Sequence, residues 1–497
     1  MKRLLCLCIS VVLLAAMSAS AETVSNWYEV FVRSYQDSDG DGLGDLNGLR
    51  ARLDYIEDMG WRGLWLMPVT PSPSYHKYDV TDYCAVDPEY GALDDLRALL
   101  EDCHARGIAV ILDLPVNHTS TLHPWFQSAC DALLAGETSP YVDFYHFQSQ
   151  SAGGYVPLGD SGWYYEEQFA GGGMPDLNLD NEQVREALSE VFRFWLCDVG
   201  ADGFRLDAVT SYYTGDTARN VAFLSWVKET CEALKPGSFL VCECWANLNT
   251  IAEYYASGID SFFLFPASQA EGFVVKSLMA RNGGATKFAN AYQNVLDAIP
   301  DGFLTPFLSN HDTGRTVGLV QGRANPDAVK FAHGLLGTMQ GGVFTYYGEE
   351  IGMIGSGDDP NKRLAMYWSD GDMTDQPPGV THLEYAYPSV EAQQANPGSL
   401  LNYVKAVNAM RLENPVISSG TNETLLAEGS LLLMRRFHGE TSRLIAVNFG
   451  KSEAEIALES PCVIVCDLET GEDAASLDGA ALTLPGRAIV VLAEASR

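Results

Sequence analysis

The sequence predicts an α/β fold: a (β/α)8 TIM barrel with an inserted domain after strand 3 and a C-terminal antiparallel β-sandwich. Three observations indicate this fold. Eight strand-like segments are mostly separated by helical patterns, one gap between consecutive strands is much longer than the others, and short alternating strands follow the last helix. A doubly wound open sheet is the alternative, disfavoured because no glycine-rich phosphate-binding turn follows the first strand.

The barrel elements follow from apolar periodicity. The predicted strands cover 26–35, 63–67, 109–113, 203–207, 239–244, 261–265, 303–309 and 343–347. Apolar residues at helical spacing predict helices over 46–59, 93–103, 181–199, 220–234 and 399–411. Gly60 and Gly107 end the first two helices, as glycine commonly does.

Residues 119–180, between the third and fourth strands, carry no clean helix pattern and are rich in glycine and aromatic residues. Because so long a connection in a barrel is usually functional, we predict a small irregular inserted domain there. It divides the barrel into 22–118 and 181–416. The β-sandwich is placed at 417–497, where short alternating strands cover 431–437, 444–449, 462–468 and 488–492.

The first 21 residues have the layout of a targeting segment. Lys2 and Arg3 precede an apolar run over 4–16, and Ala19-Ser20-Ala21 matches a small-residue cleavage site. We therefore predict a secretory signal peptide over 1–21 and a secreted, extracellular protein. The apolar run is too short to span a bilayer, so we expect no membrane anchor after cleavage.

The charge balance is strongly acidic and narrows the choice of partners. The chain has 31 basic and 65 acidic residues, which gives a formal net charge of −34. Such a chain repels nucleic acid and anionic membranes but not a neutral polymer. The cysteines left after signal cleavage are odd in number and do not resemble a small-domain disulfide framework, although Cys462 and Cys466 are close enough in sequence to pair. We expect a monomer.

Arg205 and Asp207 are the central pair of the sequence. They lie two residues apart on the fourth predicted strand, so their side chains share one face. A carboxylate beside a guanidinium stays ionised, which a nucleophile requires, and retaining glycosidases use a carboxylate nucleophile. A purely structural arginine–aspartate pair is the alternative.

Chemistry in such barrels lies at the C-terminal ends of the strands. Burial among apolar neighbours raises the pKa of a carboxyl group, so Glu243 on the fifth strand suits an acid/base role. Glycosidic cleavage needs one ionised carboxylate and one protonated acid, and Asp312 adds a third carboxylate. Ionisable groups occupy four predicted strand ends: Asp113 with His118, Arg205 with Asp207, Glu243, and His311 with Asp312.

An acidic loop over 37–45 follows the first strand. Its carboxylates alternate with small residues, so their oxygens converge as hard cations such as Ca²⁺ require. An acidic turn at a helix N-terminus is the alternative. The aspartates of this loop are Asp37, Asp39, Asp41 and Asp45.

Four segments, in order and at family spacing, resemble the motifs of the α-amylase family of retaining glycoside hydrolases (glycoside hydrolase family 13). The segments are Asp113-Leu-Pro-Val-Asn117-His118, Gly203-Phe-Arg-Leu-Asp207-Ala, Cys242-Glu243-Cys-Trp245 and Leu308-Ser-Asn-His311-Asp312. The resemblance covers the chain from about Trp27 to the C-terminus and implies the same three-part architecture. Met174-Pro-Asp-Leu-Asn178 is similar to the intermediary group between oligo-1,6-glucosidases and neopullulanases.

The resemblance also implies roles for particular residues. Asp207 is expected to be the nucleophile, Glu243 the acid/base and Asp312 the transition-state stabiliser. The implied sugar contacts are Arg205, His118 and His311 around the attacked sugar, Tyr78 as its platform, His76 as a hydroxyl donor, and Asp359 and Arg363 at neighbouring subsites. The implied Ca²⁺ site uses the four loop aspartates and the carbonyl of Leu43, and Asn117 and Asp176 are candidates for a second Ca²⁺ site.

Some positions depart from the family pattern. Thr210 and Ser211 replace a Lys-His pair that many members use beyond the cleaved bond. Lys77 replaces a usual glycine and is expected to add a cation at the pocket rim. Ala208 and Trp245 favour cleavage of α-1,4 bonds.

The main hypothesis is a secreted α-amylase that cleaves α-1,4 bonds in starch-like glucans and maltooligosaccharides with retention of configuration. An exo-acting α-glucosidase or a 4-α-glucanotransferase with the same machinery is the alternative. A non-catalytic glycan-binding barrel is disfavoured because Asp207, Glu243 and Asp312 are all present.

Overall fold

A computed structural model describes residues 24–169, 171–468 and 474–495, and the predicted signal peptide lies outside them. In chain order, the strands up to residue 346 are β1 (Asn26–Val30), β2 (Gly63–Leu66), β3 (Ala109–Leu114), β4 (Phe147–Gln148), β5 (Tyr155–Pro157), β6 (Tyr164–Glu166), β7 (Gly203–Leu206), β8 (Phe239–Cys242), β9 (Ser261–Phe262) and β10 (Val343–Tyr346). Seven of them form one parallel sheet in the order β10-β1-β2-β3-β7-β8-β9.

Two parallel bridges close this sheet into a barrel. Thr305 pairs with Phe263 next to β9, and Phe307 pairs with Phe344 of β10. The predicted strand at 303–309 is thus present only as two contacts, because Pro306 between them has no N–H to donate to a ladder. The predicted (β/α)8 barrel is confirmed.

Large aromatic side chains fill the barrel interior. The Trp27 ring stacks between Phe239 and Phe344, with ring centroids 5.3 Å apart on each side. Trp65 stacks on Phe263 at 5.1 Å. Because the interior is packed solid, ligands are confined to its ends.

The helices are α1 (Leu46–Ala51), α2 (Leu53–Asp58), α3 (Leu93–Ala105), α4 (Pro124–Ala135), α5 (Glu182–Arg193), α6 (Thr217–Leu234), α7 (Leu248–Tyr254), α8 (Phe273–Leu278), α9 (Gly284–Ala298), α10 (Thr316–Leu319), α11 (Pro326–Gly337), α12 (Asp359–Lys362), α13 (Val390–Gln394), α14 (Leu400–Glu413) and α15 (Val416–Ser419). The predicted helix over 46–59 is split at Arg52, which separates α1 from α2. The predicted helix over 181–199 ends in a π-helical turn, Phe194–Val199. No helix of the described residues is long and apolar enough to cross a bilayer.

The region predicted as an inserted domain contains more regular structure than its pattern suggested. A helix, α4, lies within it although the sequence shows no clean helix pattern there. The ends of α4 carry start and stop signals: the His123 side chain accepts the N–H of Trp125, Pro124 opens the helix, and Gly136 ends it at φ 66°. The strands β4, β6 and β5 pair as a small antiparallel sheet beside α4.

The C-terminal region forms two antiparallel sheets, which confirms the predicted β-sandwich. Its strands are β11 (Thr421–Glu428), β12 (Leu431–His438), β13 (Thr441–Asn448), β14 (Ala454–Ala457), β15 (Cys462–Leu468), β16 (Ser476–Asp478), β17 (Ala481–Leu484) and β18 (Ile489–Glu494). The sheet orders are β11-β12-β13-β18-β15 and β14-β17-β16, and an apolar cluster that includes Leu444, Ile456, Leu482 and Val490 lies between them. The nine cysteines of the described residues are free thiols, Cys462 and Cys466 included.

Two buried arginines meet at the end of α11, and one of them, Arg436, joins the sandwich to the barrel. Arg436 of β12 donates to the carbonyl of Thr338 at 2.6 Å. Arg411 of α14 donates to the carbonyls of Gly337 and Met339 at 2.8 and 2.7 Å. These carbonyls lie at the C-terminal end of α11, where positive charge is favourable.

Candidate active site

A cavity of about 480 Å³ opens at the C-terminal end of the barrel. It is lined by all three predicted catalytic carboxylates, Asp207, Glu243 and Asp312, and by five predicted sugar contacts: His76, Tyr78, His118, Asp359 and Arg363. The other two predicted contacts, Arg205 and His311, are fully buried and are not among the lining residues. They contact the lining residues instead, because their side chains lie below the cavity floor.

Arg205 holds three carboxylates with one guanidinium. Its Nη1 donates to Asp207 Oδ1 at 2.6 Å and to Asp113 Oδ1 at 2.9 Å, and its Nη2 lies 2.8 Å from Glu243 Oε2. Burial alone would lower the pKa of Arg205, but the carboxylates led by Asp113 raise it well above its usual value. A permanent positive charge therefore stands between Asp207 and Glu243.

Glu243 is poised to give up a proton. Burial raises its pKa to about 8, and the neighbouring guanidinium of Arg205 only partly opposes this rise. Its Oε2 accepts the backbone N–H of Ala208 at 3.0 Å. Ala208 has a left-handed φ of 46°, an unfavourable conformation for a residue with a side chain that aims this N–H at Glu243. The raised pKa agrees with the sequence-based expectation.

Asp312 has the opposite electrostatic environment. Its Oδ1 accepts from Arg363 Nη2 at 2.8 Å, and its Oδ2 lies 3.0 Å from His311 Nε2. Burial would raise its pKa, but these cations hold it well below its usual range. Two carboxyl groups whose pKa values are driven apart provide an acid and an anion in one cavity.

His311 connects several strand ends through both ring nitrogens. Its Nδ1 lies 2.5 Å from Glu29 Oε1, and its Nε2 lies 2.7 Å from the Tyr78 hydroxyl. That hydroxyl also donates to Asp113 Oδ2 at 3.0 Å, and the Tyr78 ring stacks on the His311 ring at 5.6 Å. Tyr78 is therefore fixed by its hydroxyl and by one ring face.

Glu29 is a site residue that the sequence reasoning missed. It is 1% exposed and lies in β1, which was interpreted only as a core strand. A lone acid near the C-terminal end of an apolar strand was the available signal, because barrels place polar chemistry there.

Lys77 does not lie at the cavity rim, so that expectation was wrong. It has a left-handed φ of 67°, and its side chain is 2% exposed. Its Nζ lies 2.8 Å from Asp87 Oδ2 and 2.6 Å from Glu89 Oε2. These two acids draw the amine inward, so Lys77 anchors the segment that carries His76 and Tyr78.

Aromatic and small polar residues also line the cavity. Trp245 is 49% exposed and stacks on Phe265 with ring centroids 4.8 Å apart. Thr210 and Ser211, at the departing positions, also line the cavity. Phe169 lines it too, although the sequence reasoning did not single it out, because nothing in its local pattern separates it from other aromatic residues of the inserted region.

Three of the four loop aspartates converge. One carboxylate oxygen each from Asp37, Asp39 and Asp45 lies within 4.8 Å of the others. Asp41 is not part of this group, and its carboxylate accepts the N–H of Leu43 at 2.7 Å. Burial would raise the pKa of Asp37, but the backbone N–H groups of the loop lower it, so it is an anion.

These residues fit a hard divalent cation. In the part of the chain that the structure describes, no lysine or arginine pairs with Asp37, Asp39 or Asp45, so three oxygen donors face one another without a counter-charge. The second candidate pair is also brought together, since Asn117 Nδ2 donates to Asp176 Oδ1 at 2.9 Å. Burial raises the pKa of Asp176 to about 8.

Comparison with known proteins finds similar chains over nearly the whole length. The family model "Alpha amylase, catalytic domain" matches residues 29–420. "Alpha-amylase 3" of Dictyoglomus thermophilum is 35% identical over 85% of this chain and 84% of its own, and a 4-alpha-glucanotransferase of Thermotoga neapolitana is 31% identical over 87% and 97%. The solved structure of Eubacterium rectale Amy13B superposes with a TM-score of 0.92 at 40% identity, covering 96% of each chain.

Proposed function

Since this chain belongs to the α-amylase family of glycoside hydrolases, we propose that it cleaves α-1,4-glucosidic bonds within starch-like glucans and maltooligosaccharides, with retention of configuration. One observation carries the proposal: a single guanidinium contacts both Asp207 and Glu243, so the two carboxyl groups face the same cavity at close range. A short separation between the two carboxyl groups is what a double displacement requires.

In the proposed mechanism Asp207 attacks the anomeric carbon of the sugar. Glu243, protonated at neutral pH, donates its proton to the glycosidic oxygen as the bond breaks. The resulting glycosyl ester on Asp207 is then hydrolysed by a water molecule that Glu243, now a carboxylate, deprotonates. Asp312 stays ionised and stabilises the positive charge that develops on the sugar ring.

The remaining lining residues are assigned to sugar binding. Tyr78 offers its free ring face to the attacked sugar, and His76 and His118 border the same end of the cavity. Asp359 and Arg363 extend the site toward the next sugar on that side. The exposed Trp245 ring provides a flat apolar surface on the leaving-group side, where Thr210 and Ser211 contribute only short hydroxyls.

A 4-α-glucanotransferase or an exo-acting α-glucosidase is the second candidate. The 31% identity to the glucanotransferase of Thermotoga neapolitana supports it, because the same carboxylates serve both reactions. The two reactions differ in whether water or a sugar hydroxyl attacks the glycosyl ester, and the residues on the acceptor side of the cavity determine which one binds there. Trp245 offers an aromatic platform to a sugar acceptor. The higher identity to "Alpha-amylase 3", together with the small Ala208, favours hydrolysis of α-1,4 bonds.

We also propose that the acidic loop holds Ca²⁺. Asp37, Asp39 and Asp45 would bind it, with Asp41 and the carbonyl of Leu43 as further predicted ligands. The bound cation would neutralise the loop and fix its shape. The loop is hydrogen-bonded to a segment close in sequence to the cavity lining. The Asp375 N–H donates to the Gly42 carbonyl at 2.7 Å, and the side chain of the adjacent Gln376 accepts the N–H of Ala365, two residues after the cavity-lining Arg363.

We also propose that the protein is secreted, is a monomer and has no membrane anchor after signal cleavage. The predicted signal peptide and the acidic charge support it. N-terminal sequencing of protein recovered from culture medium would give a start at residue 22, and light scattering would give the mass of one chain. Cell-associated protein that keeps residues 1–21 would contradict the localisation.

Product analysis tests the activity. Soluble starch and maltotriose are digested separately, and products are separated by length over time. An endo-acting amylase releases mixed maltooligosaccharides from starch early and attacks maltotriose slowly. Glucose from the start, with maltotriose preferred, would indicate the exo-acting alternative, and products longer than maltotriose would indicate the transferase.

A further inference from the structure

Glu29 has no part in the mechanism above, yet it touches a residue behind two cavity-lining groups. It is fully buried at the end of β1, and its Oε1 lies 2.5 Å from Nδ1 of His311. On the other side of the ring, Nε2 faces the hydroxyl of Tyr78 and the carboxylate of Asp312. Glu29 therefore acts on the cavity only through His311.

With Glu29 and Asp312 ionised, each nitrogen of His311 faces an acceptor and therefore carries a proton. Nδ1 faces a carboxylate oxygen of Glu29, which accepts. Nε2 faces a carboxylate oxygen of Asp312 and the Tyr78 oxygen, whose own proton is directed at Asp113. A neutral imidazole would turn one lone pair toward an acceptor, whereas an imidazolium donates on both sides.

We propose that Glu29 is a positioning residue: its carboxylate fixes the ring plane and the charged form of His311, which in turn holds Tyr78 and Asp312 in their places in the cavity. The inference rests on the proposed glycosidase function, since it assigns a role within the same site. It adds a fourth carboxylate to the machinery, one that never meets the sugar.

The charges around His311 support this assignment. Burial would lower its pKa, but the carboxylates of Asp312 and Glu29 raise it to about 9. The Arg363 side chain donates to the backbone carbonyl of His311. It therefore does not compete with Glu29, Asp312 or Tyr78 for the ring nitrogens. The charged and titratable groups that face His311 from the elements packed against it are Glu29, Tyr78, Asp113, Arg205, Asp312 and Arg363.

The test compares Glu29→Gln with Glu350→Gln. Gln at 29 keeps an oxygen that can accept from Nδ1 but removes the charge. Glu350 is an equally buried acid that accepts from Tyr28 and Tyr55 at 2.6 and 2.9 Å and does not line the cavity. The pair thus separates an effect on His311 from the effect of neutralising any buried acid in this barrel.

The expected result is a change in pH dependence. In Glu29→Gln, His311 loses its proton at lower pH, so the ratio of variant to wild-type kcat/KM on a maltooligosaccharide falls as pH rises from 6, in addition to the fall that Glu243 causes in both proteins near pH 8. Near pH 6 the variant stays within about threefold of wild type, and near pH 8.5 it loses about tenfold or more. Glu350→Gln keeps the wild-type profile even if its Tm changes. A Glu29→Gln profile that superposes on wild type, or equal shifts in both variants, would overturn the proposal.

A second measurement does not depend on activity. Histidine ring signals of ¹⁵N-labelled wild type and Glu29→Gln are titrated by NMR, with the His311 signal assigned from its loss in His311→Asn. A midpoint at least one unit lower in Glu29→Gln supports the positioning role, and an unchanged midpoint refutes it. If the wild type cleaves no glucan, the proposed function fails, while this titration still decides the role of Glu29.

Discussion

Nη1 of Arg205 lies 2.6 Å from Oδ1 of Asp207 at the end of β7, so a fully buried cation holds a carboxylate that lines the cavity. Arg205→Met removes the cation that contacts Asp113, Asp207 and Glu243 together. Breaking a buried ion pair in this way is expected to cost about 3–5 kcal/mol of unfolding free energy. Turnover should fall by about 10²–10³ because the attacking carboxylate loses its orientation. Denaturant unfolding and kcat measure the two effects. Equal activity in the variant would contradict this account.

Asp207→Asn should abolish turnover while the fold persists. An amide of nearly the same shape still reaches the guanidinium of Arg205, but it cannot form the glycosyl ester. Circular dichroism and Tm provide the control for folding. Activity within tenfold of wild type would remove Asp207 from the nucleophile role.

The pH dependence of activity should follow Glu243. Because its pKa is raised to about 8, kcat/KM is expected to fall above that pH as the acid loses its proton. Stability follows the same sign: the contribution of this group is fully present below its unfolded pKa and is lost as pH rises through about 8. Glu243→Gln should therefore gain stability relative to wild type at pH 9 but not at pH 4. Parallel denaturation curves of the two proteins across this range would refute the assignment.

Lys77→Gly tests the anchor beneath the sugar platform. Glycine accepts the left-handed φ of 67° without strain but leaves the buried Asp87 without its cation. We expect a net loss of about 1–3 kcal/mol in stability and a KM for maltooligosaccharides several-fold higher, since His76 and Tyr78 flank this residue. Glu89→Gln is the matched control: its side chain is half exposed, so its removal should change KM little. Equal kinetic effects in both variants would mean that the anchor does not position the segment.

Cation removal should lower thermal stability. When the free Ca²⁺ concentration is a hundred times the Kd of the acidic loop, binding adds about 2.7 kcal/mol to the free energy of unfolding. A chelator removes this contribution. Differential scanning calorimetry with and without added Ca²⁺ measures this shift. Asp37→Asn should remove the shift, whereas an exposed acid outside the loop, such as Asp131, should leave it intact when replaced by Asn. An identical Tm with and without chelator would refute a structural cation.

Sequence reasoning located the parts of the site that short motifs encode. Asp207, Glu243 and Asp312 line one cavity because the parallel strands of a barrel bring their C-terminal ends together, independently of the conformation of the connecting loops. The position of Lys77 was not accessible in that way. Its direction depends on one left-handed residue and on the partners Asp87 and Glu89, which lie ten or more residues further along the chain.

Glu29 and α4 were missed for different reasons. The role of Glu29 depends on its contact with His311, which lies 282 positions further along the chain, and no local pattern predicts that contact. The helix α4 was hidden because residues 119–180 were judged as one irregular stretch, although Pro124 and Gly136 mark its two ends. The strand predicted at 303–309 was nearly correct, and a proline inside it reduced the ladder to two bridges.

The reach of Arg436 from the sandwich to the end of α11 bears on how the chain unfolds. Without β12, the Thr338 carbonyl loses its buried cationic donor. A chain that ends after the barrel is therefore expected to have a less stable barrel. We therefore expect barrel and sandwich to melt as one cooperative unit. Evolutionary loss of the sandwich would require a replacement for this arginine inside the barrel itself.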